Sequence, residues 1–197
     1  MMLDRDAGAV PSTAFLEARE HYQKQSYRNR CYILAGDGIQ MLQVPVLHQA
    51  PMDILHVRVD YSTPWVVRTQ RALDTAYDSS AYYEYYRDEV LALLQACPAT
   101  LWELNLSALR WCLDAIGISC ELLPTEDFAA PGTLPDDYRF LLHPKRPNTV
   151  LSSLGLDRPY YQVFRDRMGG FTPGLSILDL LFNEGPNALL WLKTLSR

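Results

Sequence analysis

Cys31-Tyr-Ile-Leu-Ala-Gly-Asp-Gly-Ile-Gln-Met-Leu-Gln-Val-Pro-Val46 decides the fold class. Residues 31–34 make a short apolar strand. Gly36-Asp37-Gly38 carries an Asp-Gly turn signal, because these residues tolerate positive φ. Beyond it Ile39, Met41, Val44 and Val46 alternate with polar neighbours, which is the period of a strand. Pro45 donates nothing to a ladder and assigns that end to a sheet edge. The stretch is therefore a β-hairpin. Leu55, Val57 and Val59 alternate with His56, Arg58 and Asp60, which predicts a third strand with one wet face. Upstream, residues 14–20 read as a short helix or a strand end, and residues 1–19 as a leader.

Downstream the period changes to that of helices. Thr63-Pro64 predicts a helix start, with a hydroxyl cap and then proline where no N–H is needed. Val66, Thr69, Leu73 and Ala76 share one face of that helix. A second helix is predicted over residues 81–96 and ends before Pro98. Thr100-Leu-Trp-Glu103 is a capping box. The helix it opens carries the core stripe Leu101, Leu104, Ala108, Cys112 and Ile116, and Gly117 stops it. Residues 118–123 predict a strand returning to the sheet, and residues 124–138 and 143–152 predict loops. Residues 160–168 read as helical up to Gly169-Gly170. Ser176-Ile-Leu-Asp179 reads as a second capping box, and Gly185-Pro186 as the start of a final helix. No linker divides these pieces, so residues 1–197 form one domain. The expected fold is mixed α/β, a small mixed or antiparallel β-sheet with a hairpin, packed against about five helices.

Composition bounds the function. The chain has 197 residues, 48% apolar and 21% charged, which suits a single globular core. Its net charge of −5 argues against nucleic acid as the main partner, while leaving room for a local basic patch that holds one phosphate. Cys31, Cys97, Cys112 and Cys120 form no C-x-x-C pair and read as reduced thiols. The N-terminal residues contain no apolar signal-peptide core, and no run approaches the roughly 18–20 apolar residues of a membrane span. A cytoplasmic protein without a membrane span is expected. His21, His48, His56 and His143 show no metal-ligand spacing, and no Walker loop, G-x-G-x-x-G or G-x-S-x-G is present. No metal and no cofactor are expected.

Three constellations remain. Tyr22-Gln-Lys-Gln-Ser-Tyr-Arg-Asn-Arg30 places Lys24, Arg28, Asn29 and Arg30 just before the hairpin. Alternation sends Arg28 and Arg30 to one face, where paired guanidinium groups bind phosphate or carboxylate; a solvated face or internal ion pairs is the alternative. Tyr77, Tyr82, Tyr83, Tyr85 and Tyr86 cluster across a helix junction, as a stacking surface or as core-edge packing. The third runs from Gln162 through Gly170-Phe171-Thr172-Pro173 to Asp179 and Asn183, as ligand-binding polar groups or as caps.

Taken in order, these blocks resemble the WbqC-like family. The resemblance rests on residues 22–33 with Lys24 and Asn29-Arg30, on Leu42-Gln-Val-Pro45, and on Pro64-Trp65 through Ala76-Tyr77. Leu104-Asn105, Asp137-Tyr-Arg139 and the tail from Tyr161-Gln162 to Gly185-Pro186 continue it to the C-terminus. It implies a bacterial protein of surface-polysaccharide (O-antigen) biosynthesis. The implied activity is a transferase of acyl or aminoacyl type on nucleotide-linked amino sugars. In that reading Lys24, Arg28, Asn29 and Arg30 hold a phosphate or carboxylate. Gln162, Asp179 and Asn183 line the pocket, Arg139 assists binding, and Asp137 is the base. The partner is a nucleotide-sugar or acyl donor. Two features depart from the family. Its N-terminal strand–loop–helix unit is not recognisable here, which predicts an open sheet edge and a homodimer. Thr69 also stands where the first long helix commonly carries histidine. These departures favour the alternative of a non-catalytic accessory or binding domain on the same scaffold.

Overall fold

The computed structural model describes residues 12–47, 53–130, 132–133, 137, 139, 141–144 and 149–193. The hairpin forms as β2 (Arg30–Ala35) and β3 (Gly38–Gln43), antiparallel, with Arg30 opposite Gln43 and Ala35 opposite Gly38. Gly36 and Asp37 are the two turn residues. Gly38, the first strand residue after them, takes φ 128°, a region closed to side-chain-bearing residues. Asn29 prolongs the ladder: Val44 N–H donates to the Asn29 carbonyl, and Asn29 Nδ2 donates to the Val44 carbonyl, both at 2.9 Å.

A second two-stranded sheet joins β1 (Ser12–Leu16) in parallel to β4 (Cys120–Pro124). So residues 14–20 begin as a strand, inside the stretch read as a leader. The returning strand pairs with β1, not with the hairpin. The predicted third strand is absent as such. Ile54–His56 is a 3-10 turn capped by the Asp53 carboxylate, and only isolated bridges, Val46 to Val59 and Arg58 to Thr100, follow. Of the alternating residues, Val57 and Val59 bury against Trp65, Leu101 and Leu104, while the out-of-phase Ile54 joins them in place of Leu55.

Three helices carry the centre: α1 (Trp65–Tyr77), α2 (Tyr83–Gln95) and α3 (Leu101–Ile116). Pro64 occupies the cap position of α1 itself, without a side-chain cap, so the helix starts one residue later than predicted. Thr100 and Glu103 make the reciprocal capping box, and Gly117 closes α3 at φ 79°. A short α4 (Thr149–Ser153) lies where a loop was expected, and residues 163–169 form turns instead of the predicted helix. The chain ends with α5 (Ile177–Glu184), a 3-10 turn at Gly185–Asn187 and α6 (Ala188–Lys193).

The main core gathers Ile33, Leu73, Tyr77, Tyr83, Leu181 and Phe182, with Tyr77, Tyr83 and Phe182 in mutual aromatic contact. Of the tyrosine cluster, Tyr77, Tyr83 and Tyr86 are thus core, and Tyr85 is exposed. The architecture is mixed α/β, with two small strand pairs and a layer of helices. No helix among the described residues is long and apolar enough to cross a membrane.

Candidate functional site

Lys24, Asn29 and Arg30 come together at the root of the hairpin. The position is fixed from three sides. Asn29 is stitched to Val44, and Asn105 Nδ2 on α3 donates to the Arg28 carbonyl at 2.8 Å. Ser176 N–H, which opens α5, donates to the Tyr32 carbonyl at 2.8 Å. These ties leave a cavity of about 250 Å³ between the hairpin root, α1, α2, α3 and the start of α5. Its walls are mostly apolar, with Leu42, Leu73, Val90, Leu94 and Leu104 among them, and Trp65, Thr69, Asn105 and Ser176 also line it.

Three buried polar atoms in these walls have no hydrogen-bond partner: Asn29 Oδ1, Arg30 Nε and Trp65 Nε1. Asn29 and Trp65 are each only 4% exposed. An unpartnered buried polar atom costs about 1–3 kcal/mol, so natural folds seldom keep three on one cavity without use for them. Asn29, Arg30 and Gln43 also line an adjoining cleft of about 520 Å³, together with Tyr22, Lys24, Gln25 and Asp60. Lys24 and Arg30 make no ion pair among the described residues. Burial pushes the Tyr22 phenol above its usual range, against the pull of the nearby Arg30 and Arg28. The site thus joins an apolar cavity to a cleft bearing two uncommitted cations and one carboxylate, Asp60, which the Ser62 hydroxyl and amide hold below the usual range.

The other predicted site residues lie elsewhere. Arg28 lines the cavity, but its guanidinium is committed to the buried Glu20 carboxylate through Nε and Nη2. Asp137 and Arg139 pair through Nε at 2.8 Å and Nη2 at 2.6 Å, and Arg139 Nη1 reaches Glu17 on the chain after β1 at 2.7 Å. The guanidinium holds the Asp137 carboxyl well below the usual carboxylate range. Neither Asp137 nor Arg139 lines the cavity or the cleft.

Gln162, Asp179 and Asn183 form a separate buried network. Asp179, wholly inaccessible to solvent, accepts from the Tyr77 and Tyr160 hydroxyls at 2.7 Å each and from Gln162 Nε2 at 2.9 Å. Burial raises its pKa, while those three donors lower it. Gln162 also clamps Thr172 through both backbone groups, and Asn183 Nδ2 donates to the Asp179 carbonyl. Asp179 is turned into this network, so the second capping box is only half made. Ser176 Oγ accepts from Leu178 N–H, and no reciprocal bond from Asp179 completes it. Sequence reasoning missed Trp65, Gln43 and Asp60 as cavity and cleft residues, since only their tertiary neighbours give them that place.

Cys31 and Cys112 also line the cavity, and burial pushes both thiols up, Cys112 to about 11. Among the described residues no group of three His, Cys, Asp or Glu could hold a metal ion, and His48 lies outside them.

The model of the WbqC-like protein family matches residues 12–141. That span holds Lys24, Asn29, Arg30, Trp65 and Asn105, and begins with β1. The uncharacterized protein Rv1507c of Mycobacterium tuberculosis is similar, 27% identical over 192 residues, covering 85% of this chain and 81% of its own. No solved structure matches the chain.

Proposed function

The chain belongs to the WbqC-like protein family, and from that premise we propose that it is a transferase-type enzyme acting on nucleotide-linked amino sugars in the assembly of bacterial surface polysaccharide. One observation carries the reading. Asn29, Arg30 and Trp65, each with an unpartnered buried atom, line a cavity that shares walls with a cleft holding Lys24 and Arg30. Two uncommitted cations in a protein of net charge −5 fit an anionic group such as a diphosphate, and Arg30 presents a planar fork to it. The cavity then receives the less polar part of the ligand. Asp60 is the carboxylate the cleft offers to an incoming amine. In this reading an Asp137 base has first to leave Arg139, because a carboxylate bonded to a guanidinium is ionised but a weak proton acceptor.

The test is thermal unfolding against nucleotide-linked amino sugars, plain nucleotides and acyl or aminoacyl donors. A ligand at about 100 times its Kd adds about 2.7 kcal/mol, a shift of several degrees for a domain of this size. We expect a shift selective for one sugar class that disappears in Lys24→Ala and Arg30→Ala. A shift unchanged in both variants contradicts the assignment.

A second reading, a binding domain without turnover, is favoured by a specific observation. The cavity walls contain no aspartate, glutamate or histidine, and their buried thiols are held protonated. Ligand binding with no product from any donor–acceptor pair would select that reading; turnover would exclude it.

A further inference from the structure

We infer that the outer edge of β3 docks a second copy of this chain, the two β3 strands pairing antiparallel across a two-fold axis. The inference does not rest on the transferase reading. The hairpin's own hydrogen bonds show which backbone groups are free. Val44 N–H donates to the Asn29 carbonyl, and along an antiparallel strand successive residues turn their backbone groups to opposite sides. Gln40 and Leu42 therefore bond to β2, while Ile39, Met41 and Gln43 turn their N–H and carbonyl groups away from it. Among the described residues nothing bonds to those outward groups, and β3 has β2 as its only strand neighbour. The edge is covered only beyond this run, where Asp60 N–H donates to the Pro45 carbonyl at 2.9 Å. An unpaired edge of this kind is a template for another strand.

The chemistry of the edge selects a second copy as its occupant. Gly38–Gln43 carries no charge and no proline, the devices that commonly keep an edge from pairing. Two chains of net charge −5 therefore meet there without like charges opposed along the strands. Ile39 and Met41 lie on one side of the hairpin, 59% and 43% exposed, so pairing covers two apolar side chains from each copy. The two ends of the edge are complementary in charge. The turn end bears the exposed Asp37 carboxylate. At the other end Gln43 opens onto the cleft of Lys24, Arg30 and Asp60, where cations outnumber the carboxylate. Asp37, Lys24 and Arg30 make no ion pair among the described residues. A two-fold axis sets the strands in opposite directions, so the Asp37 turn of each copy lies toward the cationic end of the other. The match is made twice by one pair of surfaces, which is the mark of an isologous contact.

The test is sedimentation velocity of the full chain over a range of concentrations, with amide hydrogen exchange on the same samples. We expect the mass to rise with concentration from that of one chain toward that of two. The Ile39 and Met41 amides should slow in step with it, while those of Gln40 and Leu42, bonded within the hairpin, stay protected throughout. Met41→Lys sets a charge at an exposed edge position and should weaken the dimer about tenfold or more. Asp37→Asn keeps a good turn dipeptide with Gly38 and removes the carboxylate. It should weaken the dimer by up to about fivefold at low salt and little at high salt. Circular dichroism and the melting curve of each variant establish that it is folded. A mass of one chain at every concentration overturns the inference and leaves the edge to a different partner. Slow Ile39 and Met41 amides in such a monomer would assign the edge to another part of the same chain. A dimer unaffected by Met41→Lys, or one whose edge amides exchange alike at all concentrations, also overturns the inference, because its interface lies elsewhere. None of these results depends on a nucleotide sugar, so the transferase reading stands or falls separately.

Discussion

Arg139 makes ion pairs with two carboxylates, and the pH dependence of stability follows from them. It draws Asp137 and Glu17 together across more than a hundred residues of sequence, linking the chain after β1 to the segment beyond β4. The Arg139 hydrogen bonds depress the Asp137 pKa. Burial raises that of Glu17, but the Arg19 and Ala129 amides, the Thr125 hydroxyl and Arg139 outweigh it and leave it lowered. A carboxyl with a depressed folded-state pKa adds stability that is fully present above its unfolded value, roughly 4, and is lost as pH falls through the folded value. Replacing Arg139 with Met should therefore destabilise the protein at pH 6. The gap from wild type should narrow steadily below about pH 4. Urea unfolding at pH 6 and pH 3 measures both; a gap that stays constant with pH would mean that the pair contributes nothing specific. Asp179 has the opposite sign, since burial raises its pKa and ionising it costs stability as pH rises. Its three donors offset that cost, so this network is a structural partner of the core.

Among the elements, those written by neighbouring residues were legible and those made by distant contacts were not. The Thr100–Glu103 box, the Gly117 stop and the Gly36-Asp37-Gly38 turn depend on residues within a few positions, and each is present. The alternation of residues 55–59 gave no strand, because burial against Trp65, Leu101 and Leu104 produces the same pattern as a sheet face. Residues 14–20 read ambiguously, as a short helix or a strand end, because the ladder of residues 12–16 is made with the distant residues 120–124. The site divides the same way. Lys24, Asn29 and Arg30 were marked by their local cluster of charge, but the cavity that Asn29 and Arg30 share is completed by Trp65 and Asn105 from two different helices. The Gly185-Pro186 junction shows a local signal with a long-range cause. Gly185 takes φ 51°, ψ −122° between α5 and the following turn, and a Cβ there would collide with the Tyr82 ring. Gly185→Ala should cost about 2–4 kcal/mol from strain and overpacking combined, lowering Tm by roughly 4–16 °C. A calorimetric Tm within a degree of wild type would show that Tyr82 moves aside freely.

For the whole molecule, three of the five buried side-chain polar atoms without partners among the described residues belong to residues of one cavity. Asp179, Gln162, Arg139 and Glu20 are buried or half-buried with their hydrogen bonds made, and they fix the packing of the helices and strands. Asn29, Arg30 and Trp65 keep unpartnered atoms, and all three line one cavity. Ser80 Oγ and Asn183 Oδ1 are also without partners and lie away from that cavity, so what marks the hairpin root is the gathering of three such residues around one cavity beside the Lys24–Arg30 cleft. The most direct measurement is the indole N–H region of the proton–nitrogen correlation spectrum during titration with a nucleotide-linked amino sugar. The chain has four tryptophans, so four indole signals are expected, and Trp65→Phe identifies one of them. Here the account predicts a large, saturable displacement of the Trp65 signal, while those of Trp102 and Trp191 stay in place. Saturable binding that leaves the Trp65 signal unmoved would contradict it and put the ligand site elsewhere on the molecule.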